Sequence, residues 1–267
     1  MKKTTFVFFF FLILISCEKN SVVPEDEYNL HGTGKIKTKY IYSSSSNSEP
    51  YATNTYTYDD NWNLKKILIA DYPKPVFASY IYEYSEQGIL INMKYKAIEG
   101  ANYPNQTEDD FVLIREYKYS YRGNSKIELE YRKNVLADSV VYNYADNLLG
   151  SKYYYDLDGD LSYNRKYEYD SDKKLIREIY SPENTYLVYT YEDSRIVKVT
   201  EFDQNGSKTM ENRYEYSKLG SNVFVELFNK DFLSEKTTYK DGDVIEYIKY
   251  HPTFPGSEWY CYKYSYY

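Results

Sequence analysis

A pair of tyrosines with one residue between them recurs at Tyr117/Tyr119, Tyr142/Tyr144, Tyr167/Tyr169, Tyr189/Tyr191 and Tyr214/Tyr216. First tyrosines are separated by 25, 25, 22 and 25 residues, and Tyr239 and then Tyr262/Tyr264 follow after 25 and 23 more. A period of this size marks a repeat architecture, each unit being one supersecondary element that hides its apolar face against the next. A spacing of two sets both tyrosines of a pair on one face of a strand. The residue between them is Lys, Asn, Glu or Thr, so the other face of these strands is polar.

One copy of the unit reads Arg165-Lys166-Tyr167-Glu168-Tyr169, a turn Asp170-Ser171-Asp172-Lys173, a strand Lys174 to Tyr180, a turn Ser181-Pro182-Glu183-Asn184, and a strand Thr185 to Tyr191. Two strands of about 6 to 8 residues and two short turns fill about 25 residues, so the unit is a β-hairpin. Upstream, strands are predicted over 35 to 42, 51 to 58, Leu64 to Ala70, Phe77 to Tyr84 and Ile89 to Lys96. A serine-rich loop joins the first two, and Pro73 and Pro75 end the third, since proline cannot donate into a ladder. The segment 97 to 110 breaks the beat; a long loop on a rigid scaffold is a better-than-average binding place, but simple mobility is the commoner reason for one. After the leader no segment keeps helical apolar spacing over three turns.

Continued to Tyr266, the count reaches about 18 strands, and so large an antiparallel sheet must curl or close because twist accumulates. The expected fold is therefore all-β: a soluble antiparallel meander, curled or barrel-like. Strands such as Ile196-Val197-Lys198-Val199 carry apolar residues on both parities, which predicts that both of their faces are partly covered.

Composition narrows the function. There are 38 Tyr against 12 Phe at a mean hydropathy of -0.72, so area is buried through a side chain with a polar tip and the core is thin. The chain opens on Lys2-Lys3, an apolar run Phe6 to Ile15, then Ser16-Cys17: a secretory leader, too short to span a membrane. Leu14-Ile15-Ser16-Cys17 resembles the bacterial lipobox, which implies a signal peptide over 1 to 16, lipidation of Cys17, and an outer-membrane address facing the periplasm or the surface. Residues 17 to 34 read as a tether and 35 to 267 as the β-hairpin repeat domain. Loss of Lys2 and Lys3 takes the net charge from -7 to -9 (-7 minus 2), which argues against nucleic acid as a partner. With Cys17 lipidated, Cys261 has no partner for an intramolecular disulfide and is expected to be a small buried side chain.

Tyr167-Glu168-Tyr169-Asp170 and Tyr56-Thr57-Tyr58-Asp59, each followed by a polar turn and a Leu, resemble the YD (Rhs-type) repeats of bacterial surface and toxin-shell proteins. With the lipobox, the chain is similar to Bacteroidota lipoproteins of unassigned function with a porin-like, curled β fold. The resemblance spans residues 35 to 267 and implies no catalytic residues. The residues agree that no enzyme is to be expected: His31 falls in the tether and His251 precedes Pro252 in a loop, leaving no base for a catalytic triad. No cofactor and no metal are expected. Asp156-Leu157-Asp158-Gly159-Asp160 departs from the EF-hand pattern and reads better as a hairpin turn.

A membrane barrel is disfavoured as well. Counting back by twos from Tyr267 gives Ser265 and Lys263, whereas the tyrosines at 260 to 266 have the other parity, and mid-strand Lys and Glu are costly against lipid. Two expectations remain. In the first, the ladder residues Tyr117, Tyr119, Tyr142, Tyr144, Tyr167, Tyr169, Tyr189, Tyr191, Tyr214 and Tyr216 offer an aromatic β surface to a glycan or polymer. In the second, the protein is a scaffold or assembly part of an envelope complex.

Overall fold

The computed structural model of the protein describes residues 35–71, 76–98, 107–229, 232–251 and 258–266. The expected signal peptide, Cys17, the expected tether and the middle of the 97 to 110 segment lie outside the described residues. Eighteen strands follow in order: β1 Ile36–Tyr42, β2 Ala52–Tyr58, β3 Leu64–Asp71, β4 Val76–Tyr84, β5 Leu90–Ala97, β6 Val112–Arg122, β7 Ser125–Arg132, β8 Val135–Ala145 and β9 Leu148–Tyr155 in the first half. The second half holds β10 Leu161–Tyr169, β11 Leu175–Ser181, β12 Thr185–Glu192, β13 Arg195–Phe202, β14 Lys208–Leu219, β15 Asn222–Asn229, β16 Phe232–Lys240, β17 Asp243–Tyr250 and β18 Glu258–Tyr266. The one helical segment among the described residues is a short 3-10 turn, Glu108–Asp110. Several strands exceed the expected length, β14 reaching 12 residues.

Every strand pairs antiparallel with its sequence neighbours, and β1 pairs with both β2 and β18, so the meander closes into an 18-stranded barrel. Eighteen strands about 4.8 Å apart and tilted about 40° would enclose a circular section roughly 35 Å across. Directly opposite residues share a face, so the registers carry one face around the whole ring: Tyr56 faces Ile67, Ile67 faces Tyr80, Tyr82 faces Met93, and Met93 faces Tyr117. This tyrosine face is the inner, concave one, where side chains crowd. Tyr56, Ile67, Ala78, Tyr82, Val199, Val223 and Tyr247 are buried on it. Thr55, Glu83, Lys118, Glu168, Thr190 and Glu215, on the opposite parity, are exposed. The core is as thin as the composition implies; its densest cluster, Tyr56, Leu64, Ile67 and Tyr82, sits on one stretch of inner wall.

Two turn chemistries set the registers. In the first, the Oδ1 of Asp59, Asp156, Asp170 or Asp203 accepts the N–H groups two and four residues on, at 2.8 to 3.1 Å. The fourth residue takes a positive φ: 61° at Trp62, 84° at Gly159, 65° at Lys173 and 79° at Gly206. The Asp156 to Asp160 segment is therefore a turn whose leading carboxylate is committed to its own backbone. In the second, two residues both adopt positive φ, as in Asp146-Asn147 at 52° and 64° or Asp193-Ser194 at 46° and 67°, giving the tight turn whose twist matches the strands.

A bulge recurs opposite the second tyrosine of the pair. Thr57 faces Lys66 but Tyr58 faces Leu64; Thr190 faces Lys198 but Tyr191 faces Ile196. The extra residue, Lys65 or Val197, sits just after the turn. The adjacent apolar pair Ile196-Val197 reflects a slip of parity at this bulge, and farther along the strand Val199 and Thr200, which point to opposite faces, are both buried, as expected of a strand partly covered on both faces. Bulges increase local twist, and repeated around a sheet they curl it toward closure.

At the same level the hydroxyl of the second tyrosine fastens the preceding strand. The β11–β12 ladder ends at Arg177 facing Val188, and beyond it the Tyr191 hydroxyl donates to the carbonyl of Leu175 at 2.8 Å. The same bond joins Tyr58 to Ile36 at 3.0 Å, Tyr84 to Leu64 at 3.0 Å, Tyr169 to Leu149 at 3.0 Å and Tyr216 to Ile196 at 2.9 Å, and it also joins Tyr266 to Val244. Each clasp adds one hydrogen bond where the backbone ladder has run out. The seam between β1 and β18 has its own fastening: Glu258 accepts hydrogen bonds from Ser44 Oγ at 2.9 Å and Ser45 Oγ at 2.7 Å, and Lys263 donates to the Ser45 carbonyl at 3.1 Å. Cys261 on β18 is fully buried, as expected of a small packing residue, and burial pushes its thiol up to about 12.

Candidate functional site

The inner wall from β6 to β12 concentrates polar and charged groups. Across β7 to β11 the registers place Lys126 opposite Tyr142, Tyr142 opposite Lys152, Lys152 opposite Arg165, and Arg165 opposite Tyr180. Cations and rings thus form one row. Lys126 and Lys152 lie 5.2 and 5.0 Å from the Tyr142 ring, and Arg165 lies 4.8 Å from the Tyr180 ring. These distances are cation–π contacts, which strengthen where water is excluded.

Two carboxylates flank the row. Glu128 accepts a hydrogen bond from the Tyr142 hydroxyl at 3.1 Å. Glu178 is 7% exposed; it accepts one from the Tyr189 hydroxyl at 2.9 Å and lies 3.7 Å from an Arg165 nitrogen. Burial raises the pKa of Glu128, with Lys126 opposing, and burial followed by the Arg165 charge lowers that of Lys152. Burial also raises the tyrosines: Tyr154 reaches about 12, and Tyr142 and Tyr189 are raised further by Glu128 and Glu178 beside them. At neutral pH these hydroxyls stay protonated. They act as hydrogen-bond donors, not as bases.

All ten ladder tyrosines lie on the inner face and are half-buried, but they divide by task. Tyr169, Tyr191 and Tyr216 spend their hydroxyls on clasps within the wall. Tyr142 turns its hydroxyl to the half-buried Glu128 and Tyr189 its own to the buried Glu178. Tyr119 stands 4.8 Å from Lys126, while Tyr117, Tyr144, Tyr167 and Tyr214 complete the lining on β6, β8, β10 and β14. The aromatic β surface expected of the ladder is thus half-buried on the inner wall. Sequence reasoning missed Glu128, Lys152, Arg165 and Glu178. The signal for Arg165 was available, because it lies two residues before Tyr167 and so shares its parity.

The fold and this lining define a closed antiparallel β-barrel with a polar, aromatic interior. No family model matches the chain, and no curated protein does. Among solved structures it is similar to a porin-like protein from Bacteroides uniformis, at 9% identity over 87% of this chain and 98% of that one, with a TM-score of 0.33. A porin-like protein from Bacteroides vulgatus gives 8% identity, 88% and 99% coverage, and a TM-score of 0.30. The toxin complex TcdB2-TccC3 gives 12% identity and a TM-score of 0.35 over 84% of this chain, which spans 14% of that chain. Strand count, closure and lining are taken from this chain itself.

Proposed function

We propose that the protein is an envelope lipoprotein, held to the outer membrane by a lipid on Cys17, whose barrel binds a glycan along its inner wall without catalysing a reaction. The observation that supports this most is the half-buried tyrosine lining beside Arg165, Glu128 and Glu178. Rings stack on the apolar faces of sugars, and buried donors and acceptors fix hydroxyl orientation. Anchoring through a lipid fits the outer face, where Lys94, Glu116, Lys166, Glu168, Arg177 and Arg213 stand within strands and would be costly against hydrocarbon. Neither nucleic acid nor a cofactor has a place in this reading.

The second reading, a scaffold for an envelope complex, draws on the clasps, which assign part of the ladder to wall integrity. A glycan array separates the two. Glycan binding predicts hits that Tyr167→Ala removes while β circular dichroism is kept; an array without hits, with every ladder variant destabilised, leaves the scaffold. The anchor has its own test. Cys17→Ser abolishes lipid labelling and releases the protein from membranes, and a wild-type Cys17 found unmodified and still joined to Ser16 removes the proposed address.

A further inference from the structure

The inner wall holds two cations where ordinary strand pairing disfavours them. Lys152 and Arg165 are directly opposite on β9 and β10 and share the inner face. Like charges at such positions repel across about 5 Å. Arg165 is partly balanced by Glu178 at 3.7 Å, yet its buried Nε has no hydrogen-bond partner. Lys152 has no carboxylate within ion-pair distance among the described residues; its close neighbour is the Tyr142 ring at 5.0 Å, and Glu128 and Glu178 act on it from farther away. A methionine or leucine at 152 would fill the same space without the cost of desolvating a charge.

Rings surround the pair. Tyr142 flanks Lys152, Tyr180 flanks Arg165, and Tyr154 lies 5.9 Å from the guanidinium while stacking on Tyr163 at 4.0 Å and 15°. A guanidinium and an ammonium on directly opposite residues of one face, each flanked by an aromatic ring, match a carboxylate carried on a sugar ring. We propose that Lys152 and Arg165 form a subsite for the carboxylate of a uronic acid within an otherwise neutral glycan, an inference that rests on binding of glycans in the barrel. The carboxylate sits between the two cations, hydrogen-bonded to both, and Tyr142 and Tyr180 bracket the sugar. A single acid suits the site better than a polyanion, because the mature chain carries a net charge of -9 (-7 minus the two leader lysines), much of it in hairpin turns such as Asp156 to Asp160.

The test compares xylotetraose with xylotriose bearing one glucuronic acid, titrated into the full chain by calorimetry at low salt. The acidic sugar is expected to bind about tenfold tighter or more, as charge-assisted hydrogen bonds allow. Lys152→Met and Arg165→Met are each expected to cut that preference to under about twofold, the readout being the ratio of the two affinities within each variant, and thermal melts confirm both variants are folded. Equal affinities in the wild type overturn the subsite and leave glycan binding standing. Binding of neither sugar counts against both. A preference that survives in both folded variants places the recognition elsewhere and overturns the assignment.

Discussion

Tyr191→Phe isolates one clasp. The substitution keeps the ring against the inner wall and removes only the O–H that the Leu175 carbonyl accepts at 2.8 Å. A neutral hydrogen bond of this kind contributes about 1 kcal/mol net, and the carbonyl near a strand end can regain water in part. For a unit of this size that lowers the melting temperature by about 2–4 °C. Tyr169 and Tyr216 make equivalent bonds on β10 and β14, each two strands away, at a spacing of about 10 Å where effects add. The triple Tyr→Phe variant is therefore expected to lose about 3 kcal/mol and melt about 6–12 °C lower. Tyr155→Phe serves as the control, because its outer-face ring makes no such bond; it is expected to fall within about 0.5 kcal/mol of wild type. Calorimetric melts of the three singles, the triple and the control decide the matter. A triple variant no less stable than the control would falsify the assignment of these hydroxyls to wall integrity.

Lys39 lies 3.4 Å from the centre of the Tyr262 ring, and burial lowers its pKa to about 8. The unfolded chain holds that proton more tightly, so the cost is full below pH 8 and fades toward the ordinary lysine value. Lys39→Met is expected to be more stable than wild type at pH 7, by at most about 3 kcal/mol, with the advantage shrinking from pH 8 to 10 in urea titrations; a pH-independent difference refutes this. Glu258 behaves oppositely: burial pushes its pKa up, but hydrogen bonds from Ser45 and Ser44 outweigh that and hold it low. Its contribution is present above the ordinary Glu value and lost as pH falls through the depressed one, so amide exchange in β1 and β18 should accelerate in acid ahead of that in β12. Glu258→Gln is expected to show the faster seam exchange already at pH 7, and unchanged exchange there would argue against the seam role.

Fold class, strand number and most strand limits were legible because alternation, turn residues and a fixed period all report the same geometry. The strand predicted over 51 to 58, for instance, is observed as Ala52–Tyr58. Closure was left open, since a sheet that curls and one that closes share the same alternation; only the pairing of β1 with β18 distinguishes them. The bulges were hidden for a different reason. A one-residue slip at Val197 leaves a sequence that looks like an ordinary apolar strand, and its parity becomes readable only against Tyr191 across the turn. The division of the ladder into clasps and lining was likewise invisible, because both members of a pair share one face and differ only in their distance from the strand end. The charged row escaped notice because Lys126, Tyr142, Lys152 and Arg165 come from four strands and meet only through their registers.

A ring joined through Ile36 and Tyr266 has no beginning or end in space, although the chain that forms it has both. While the protein is being made, the first strand waits with one raw edge for a partner that is synthesised last, and every added hairpin moves the second raw edge farther along. Unpaired edges invite pairing with other chains. Completion of the circle removes both edges at once, which makes the last strand to emerge the one that turns an adhesive intermediate into an inert one.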